Sequence, residues 1–278
     1  MSRVRSAIFE LWPRIAAVGG LVLVWWAVYR LELFDPVALP SPGQTWDSLR
    51  DHVADGSIPQ ALQQSLIRLA VAFAAAIVTG TIFGLVMSAS SFAERSVGSL
   101  IIGLQSLPSI AWLPLSILWF GLSERAVAFV VFIGAFPAVV LGTTSALRTV
   151  PPLLTRAGRT LGARGAGLYT KVILPAALPG YVAGLQQGWA FAWRALMAGE
   201  LLITGAGFGL GQSMNNAQNA IDTPQVLAIM AVIVIVGMFV DLAVFGAFDR
   251  RIRSKRGLAM TWERTALRTA NRGIRGAI

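Results

Sequence analysis

The sequence predicts an all-α polytopic membrane protein with six transmembrane helices. Hydrophobic residues make up 55% of its 278 residues, charged residues make up only 13%, and the mean hydropathy is +0.67. An average soluble domain carries about 25% charged residues, so this composition excludes a single water-soluble globular domain. It also excludes intrinsic disorder, which requires low hydrophobicity. The apolar residues form unbroken runs, whereas the strands of a membrane barrel alternate over ~10 residues.

Six apolar stretches are long enough to be transmembrane helices, each of which needs roughly 20 mostly apolar residues. They lie at about residues 15–33, 62–88, 97–120, 126–147, 176–203 and 225–248. At roughly 20 residues each they occupy close to half of the chain. The remainder is too short for a compact domain outside the membrane, so we expect one transmembrane domain over residues 1–278.

Basic residues predict that both termini are cytoplasmic, because cytoplasmic loops carry an excess of Lys and Arg. Most of the 23 basic residues fall in the N-terminal segment, in the loop 148–175 and in the tail 249–278. The loop between the first two spans instead collects acids, which are Glu32, Asp35, Asp47, Asp51 and Asp55. We interpret the basic tail as a topology determinant with affinity for anionic lipid, and not as a nucleic-acid site.

Several classes of site are excluded by composition. The chain has no cysteine and one histidine, so it offers neither a thiolate nor a histidine-cluster metal site and no Ser-His-Asp set. Its two lysines, Lys171 and Lys255, do not follow a glycine, so the phosphate-binding loop of nucleotide hydrolases is missing. The glycine run at residues 205–211 lacks the G-x-G-x-x-G spacing, and we expect a flexible outer loop there.

Polar residues within the spans are candidates for a solute pathway, because a charge at the centre of a membrane helix costs about 2.5–3.5 kcal/mol on insertion scales. Gln105 precedes a break that Pro108 introduces in the third span, and Gln186 lies in the middle of the fifth. Arg194 could attract an anionic solute or pair with an acid on another span. We hypothesise a pathway formed by Gln105, Gln186 and Arg194.

Three further charges within the spans receive other expectations. Arg68, near the outer end of the second span, is expected to extend towards the surface. Glu200 and Asp241 could form a proton relay, but two acids near the ends of spans give it weak support.

The loop 148–175 predicts a small helical hairpin. Pro151 and Pro152 suit the start of a helix, and Gly162 suits its end. Four apolar residues recur at i, i+1, i+4 and i+8 and therefore share one face: Leu153, Leu154, Ala157 and Leu161. A second short helix is expected over 166–174, ending before Pro175. The hairpin could lie on lipid headgroups or dock into a partner protein.

This loop resembles the signature loop of binding-protein-dependent ABC transporter permeases, which reads Glu-Ala-Ala, three residues, Gly, nine residues, Ile-x-Leu-Pro. Gly162 is followed by nine residues and then by Val-Ile-Leu-Pro, which ends at Leu174 and Pro175. Ala157 and Gly158 take the two Ala positions, and Arg156 replaces the Glu. Segments at 39–43, 105–109 and 112–115, together with Arg251 and the segment 256–258, resemble the nitrate, sulfonate and taurine branch.

The resemblance implies a type I ABC importer permease fold in a bacterial plasma (inner) membrane. It implies a second permease copy, two cytoplasmic ATPase subunits that hold ATP and magnesium, an external solute-binding protein and a small anionic solute. The permease itself would bind no cofactor and have no ATPase site. The helix that couples it to the ATPases would comprise Leu153, Leu154, Arg156, Ala157, Gly158, Arg159, Leu161 and Gly162. The alternative is an ion-coupled secondary transporter, which would need an intramembrane ion site.

Overall fold

The computed structural model of the chain describes residues 2–35, 37–203, 205 and 207–255, and these residues form helices joined by short loops. The α-helices are α1 Ser2–Arg30, α2 Pro42–Ala54, α3 Ser57–Ala89, α4 Ser91–Ser106, α5 Leu113–Phe120, α6 Glu124–Arg148, α7 Pro152–Thr160, α8 Gly165–Leu168, α9 Leu174–Leu202, α10 Leu210–Asn219, α11 Thr223–Phe239 and α12 Gly246–Lys255. A 3-10 turn, Ser109–Trp112, precedes α5, and π-helical turns lie at Tyr169–Ile173 and Val240–Phe245.

Four helical stretches of the described residues are long and apolar enough to cross a membrane: Ser57–Ala89, Glu124–Arg148, Gly165–Leu202 and Thr223–Phe248. They correspond to the second, fourth, fifth and sixth predicted spans. The third predicted span is a pair of helices, Ser91–Ser106 and Ser109–Phe120, bent by 94°. The first corresponds to a shorter apolar stretch, Ala16–Arg30. The all-helical membrane fold is therefore confirmed, while the count of six and the side of each terminus stay predictions.

Helix α6 forms the centre of the fold between α3 and α9. Its contacts rely on small residues, which let membrane helices approach closely. A Cβ atom placed on Gly142 of α6 would lie 2.5 Å from the Cα of Gly184 in α9. On the other side, a Cβ on Gly80 of α3 would lie 2.9 Å from the Cβ of Val139. The three helices are thus in backbone contact along the bundle.

The bend in the third span lies where the sequence predicts a break. Leu107 and Pro108 are extended between the end of α4 and the 3-10 turn. A residue before proline avoids the helical region because the proline ring clashes with it, which explains why α4 stops at Ser106. The bend separates α4 from α5 and opens a space beside α6.

The expectation that a second hairpin helix ends before Pro175 is wrong, because α8 continues through the π-helical turn into α9. The amide of Leu174 donates to the carbonyl of Tyr169, five residues back. Pro175 follows directly, in the first turn of α9, where the hydrogen-bond pattern changes from the wider turn to the α-helix. The hairpin is therefore joined to the fifth span without a loop.

Two helices outside the predicted spans, α2 and α10, lie at the end of the bundle opposite α7, here called the α10 end. Ser41 and Gln44 form a reciprocal cap on α2, and Asp222 caps α11 just after α10. Helix α12 extends the last span to Lys255. The rest of the predicted basic tail, residues 256–278, lies outside the described residues.

Candidate coupling helix, cavity and buried ion cluster

Helix α7 is ended by the glycine that the sequence singles out. Gly162 has φ +88°, and its amide donates to the Arg159 carbonyl while the amide of Ala163 donates to the Gly158 carbonyl. This pair of bonds is the Schellman arrangement, which favours glycine at the left-handed position. The helix therefore has a fixed length and a defined end.

One side of α7 packs against the start of the fifth span. Gly158 is buried, and a Cβ at this position would lie 2.9 Å from Val172 and 3.1 Å from Leu168. A larger side chain at this position would overlap Val172 and Leu168. The glycine at the second Ala position of the signature is thus explained by close packing.

The apolar face of α7 adjoins this contact and is exposed. Leu153 is 74% exposed and Leu161 is 87% exposed, and Leu154 and Ala157 are also exposed. Arg156 is exposed on another side of the helix. The predicted apolar face is therefore present and uncovered in the single chain.

A cavity of about 430 Å³ lies at the bend of the third span, between this span, α6 and α9. The polar and aromatic residues that line it include Gln105, Ser106, Ser109, Trp112, Phe191 and Arg194. Two of the three predicted pathway residues, Gln105 and Arg194, thus border the same space. The structure offers hydroxyl, amide and guanidinium groups there, which can hydrogen-bond an oxyanion.

Arg194 is exposed and held by its own helix. Its Nε donates to the Ala190 carbonyl at 3.0 Å, and its guanidinium carbon lies 5.1 Å from the centroid of the Phe191 ring. Among the described residues it forms no ion pair, so a pairing with an acid on another span is not found. The rest of its guanidinium group is available to the cavity.

Gln186 does not line this cavity. Its Nε2 donates to Oδ1 of Asp241 at 2.7 Å. A second, shallower cavity of about 330 Å³ lies between α9 and the last span and is bordered by Trp189, Arg194 and Asp241. Arg194 therefore borders both cavities, whereas Gln186 is engaged beside the second.

A buried ion cluster at the α10 end is missing from the sequence-based candidates. Arg68 is only 7% exposed, so the expectation that it extends to the surface is wrong. Its Nη1 pairs with Oε1 of Glu200, and its Nη2 lies 2.9 Å from Oε1 of Glu124. Ser65 donates to Oε2 of Glu200 at 2.7 Å. We call Ser65, Arg68, Glu124 and Glu200 the Arg68 cluster.

Arg68 and Glu200 stay buried because each offsets the charge of the other at the same depth in the bundle. Glu200 is 1% exposed, whereas the side chain of Glu124 is 65% exposed. Arg68 and Glu200 are 132 residues apart, so no local pattern in the sequence predicts that they pair. Glu200 and Asp241 therefore do not form a proton relay with each other, since Asp241 bonds to Gln186.

The glycine run ends against this cluster, so the expectation of a flexible loop does not fit its second half. The amide of Leu210 donates to Ser65 Oγ at 2.9 Å, and the amide of Gly211 donates to Glu200 Oε2 at 3.0 Å. A Cβ on Gly209 would lie 2.7 Å from the Glu200 carboxyl atoms. The start of α10 is therefore fixed to the buried acid.

Comparisons with known proteins place these features in a family. A family model described as binding-protein-dependent transport system inner membrane component matches residues 45–254. The taurine transport system permease protein TauC of Escherichia coli strain K12 is 32% identical over 243 residues, which cover 86% of this chain and 87% of TauC. The nitrate import permease protein NrtB of Synechocystis is 29% identical, covering 81% of this chain and 83% of NrtB.

Solved structures share the fold. An inward-facing structure of the MetNI methionine ABC transporter matches with a TM-score of 0.61 at 20% identity and covers 70% of this chain and 96% of the matched one. A crystal structure of an amino acid ABC transporter matches with a TM-score of 0.58 at 18% identity, covering 73% of this chain and 97% of the other. The helical bundle is thus that of ABC importer transmembrane subunits.

Proposed function

The chain belongs to the family of binding-protein-dependent transport system inner membrane components and is a permease subunit of an ABC importer, and we propose that it conducts a small anionic solute. Sulfonates, taurine and nitrate are the solutes in question, because they appear in the names of its relatives. An anionic solute is also supported by the positive charge of Arg194, which borders the membrane cavity. As a member of this family the protein works with ATPase subunits and an external binding protein.

We propose that α7 couples this permease to the ATPase. The observation that carries this proposal is its uncovered apolar face, with Leu153 and Leu161 largely exposed. Apolar faces of short helices bind partners by insertion into grooves. The buried Gly158 supports a transfer of force, because it holds the helix directly against the start of the fifth span.

Co-purification of the assembled transporter tests the coupling helix. We expect L153A/L161A to weaken ATPase binding by about a hundredfold or more, since each of the two buried leucines contributes about 1.5–3 kcal/mol. The matched control is L118A on α5, a leucine that is 79% exposed and remote from α7 in sequence. Unchanged ATPase binding in L153A/L161A, together with weaker association with lipid vesicles, would assign α7 to the membrane surface instead.

We propose an assembly of two copies of this chain, two ATPase subunits and one external binding protein. The ATPases supply the sites for ATP and magnesium, and the permease hydrolyses no nucleotide; the missing Gly-Lys-Ser/Thr loop supports this division. Native mass spectrometry of the detergent-solubilised complex measures the stoichiometry. A mass that contains one permease copy, or nucleotide bound to the isolated permease, contradicts the proposal.

We propose that the solute passes the cavity at the bend, which Gln105 and Arg194 border, with Gln186 as a third contributor through its bond to Asp241 at the neighbouring cavity. Uptake into proteoliposomes tests this assignment. We expect R194Q to reduce uptake by about tenfold and R194K to retain most of it, because an ion-assisted hydrogen bond contributes about 1.5–3 kcal/mol. Q105A is expected to act in the same direction, and unchanged uptake in R194Q and Q105A would exclude this route.

A further inference from the structure

Close packing against the Arg68 cluster explains why the segment 205–211 is rich in glycine. Its alternate residues Gly207, Gly209 and Gly211 each lie against the Arg68 cluster. A Cβ would lie 2.8 Å from Glu124 Oε1 at Gly207, and 2.6 Å from the Cβ of Glu200 at Gly211. Gly207 also has φ +84°, which favours glycine. The spacing of the glycines thus matches the close approach of this backbone to the cluster.

The Arg68 cluster joins four parts of the fold at the α10 end. Ser65 and Arg68 belong to α3, Glu124 begins α6, Glu200 lies near the end of α9, and the amide of Gly211 comes from α10. Separating a buried ion pair leaves a charge without its partner in a medium of low dielectric. Movement that separates these helices at the α10 end is therefore strongly opposed.

The same helices stay in contact below the cluster. At Gly199, the residue before Glu200, there is no gap between α6 and α9, because a Cβ on Gly199 would lie 3.7 Å from the Cβ of Val127. Further along, Gly142 and Gly184 bring the backbones together. Since α9 continues into α8 without a loop, this unit reaches the residues that pack on α7.

None of the four residues that define the Arg68 cluster lies in the bent third span, and the contacts of this span with the unit are sparser. The Cβ of Ser109 in the 3-10 turn would lie 3.2 Å from a Cβ on Gly134 of α6. Trp112 meets Phe129 edge to face with centroids 6.4 Å apart. The cavity of about 430 Å³ lies on this side. The cavity beside the third span is thus larger than the one of about 240 Å³ that Arg68 and Glu124 border.

We propose that the Arg68 cluster and the glycine run hold α3, α6, α9 and α10 as one rigid body throughout transport, and that the bent third span moves against this body to open and close the cavity. The proposal rests on the assignment of the chain as an importer permease. Arg68 and Glu200 are positioning residues in this scheme, because they act on the solute only through the helices they hold.

Disulfide cross-linking tests the proposal directly, because the chain contains no cysteine. Disulfides join residues whose Cβ atoms lie about 3.5–4.5 Å apart. The pair V127C/G199C locks α6 to α9 inside the rigid body, with a Cβ separation of 3.7 Å. The pair S109C/G134C locks the third span to α6, where 3.2 Å needs only a small outward shift.

Both pairs are measured in the complex with ATPase and binding protein in proteoliposomes, before oxidation, after oxidation and after reduction. Oxidised V127C/G199C is expected to transport within about twofold of its reduced form, as a rigid unit allows. Oxidised S109C/G134C is expected to lose at least about tenfold in uptake and in stimulated ATP hydrolysis, and to recover on reduction, because a required conformational step is blocked. The single variants serve as controls for oxidation.

Inhibition by the V127C/G199C disulfide, or unimpaired transport with the S109C/G134C disulfide, overturns the proposal. Failure of the V127C/G199C thiols to cross-link with a membrane-permeant oxidant overturns it too, because helices held in contact must react. If the chain is not an importer permease, both reduced pairs lack stimulated ATP hydrolysis while the cross-links still form. That result separates a failure of the assignment from a failure of the rigid-body proposal.

Discussion

Replacement of Arg68 by glutamine is expected to destabilise the permease more than any other change in its ion cluster. Among the described residues, R68Q leaves Glu200, which is 1% exposed, without a counter-ion and with Ser65 Oγ and the Gly211 amide as its donors. Breaking a buried pair in this way costs about 3–5 kcal/mol. Glu124 loses a partner as well, but its side chain is 65% exposed to solvent.

The other single variants are expected to follow a definite order. E124Q removes an exposed partner and should cost about 0.2–1 kcal/mol. E200Q should fall between E124Q and R68Q, because Arg68 keeps Glu124 at 2.9 Å. The double variant R68Q/E200Q should cost less than the sum of its single changes, since it removes both buried charges.

Unfolding of the purified permease in mixed detergent micelles, followed by circular dichroism, measures these free energies. The reasoning is refuted if E124Q is as destabilising as R68Q, because solvent would then not distinguish the two acids. Additive effects in R68Q/E200Q would refute it as well, since they would mean that the two charges do not interact.

Two further predictions concern the helix contacts and the start of α3. G142L should abolish folding into membranes, because even a Cβ on Gly142 would lie 2.5 Å from the Cα of Gly184. The control G20L, where a Cβ would have nothing within 4 Å, should fold normally. Fluorescence-detected gel filtration measures how much folded protein accumulates for each variant. The hydrogen bond from the Ser57 backbone amide lowers the pKa of Asp55 below its ordinary value of 3.8. This bond therefore stabilises the start of α3 fully at a pH above 3.8, and its contribution is lost as the pH falls through the lowered pKa. Hydrogen-exchange protection of the Ser57 amide, corrected for intrinsic rates, should therefore drop on acidification in the native chain and stay level in D55N; a level profile in both would contradict the assignment.

The features that sequence reasoning recovers are those determined by neighbouring residues. A run of about 20 apolar residues specifies a membrane helix without knowledge of its partners, and α3, α6, α9 and α11 follow from such runs. Gly162 is likewise identified locally, because its left-handed backbone ends α7 whatever surrounds it. The break at Pro108 belongs to the same class.

The features that sequence reasoning misses depend on partners far along the chain. From the sequence alone, Arg68 is expected to extend to the surface, because nothing near it in the chain indicates its pairing with Glu200. Pro175 looks like a helix stop, yet it lies in the first turn of α9, where the hydrogen-bond pattern changes from the wider turn to the α-helix. Helix α2 is a different case, since its cap, Ser41 with Gln44, is a local signal that could have predicted its start.

Arg68 and Arg194, which both lie within membrane-spanning segments, acquire different roles from their surroundings. Arg68 is neutralised within the fold by two acids, so it needs no ligand and holds helices together. Arg194 bonds through Nε to a carbonyl of its own helix and forms no ion pair among the described residues. An uncompensated charge in a membrane helix costs about 2.5–3.5 kcal/mol. In the proposed pathway, water or an anion in the cavity offsets the charge of Arg194.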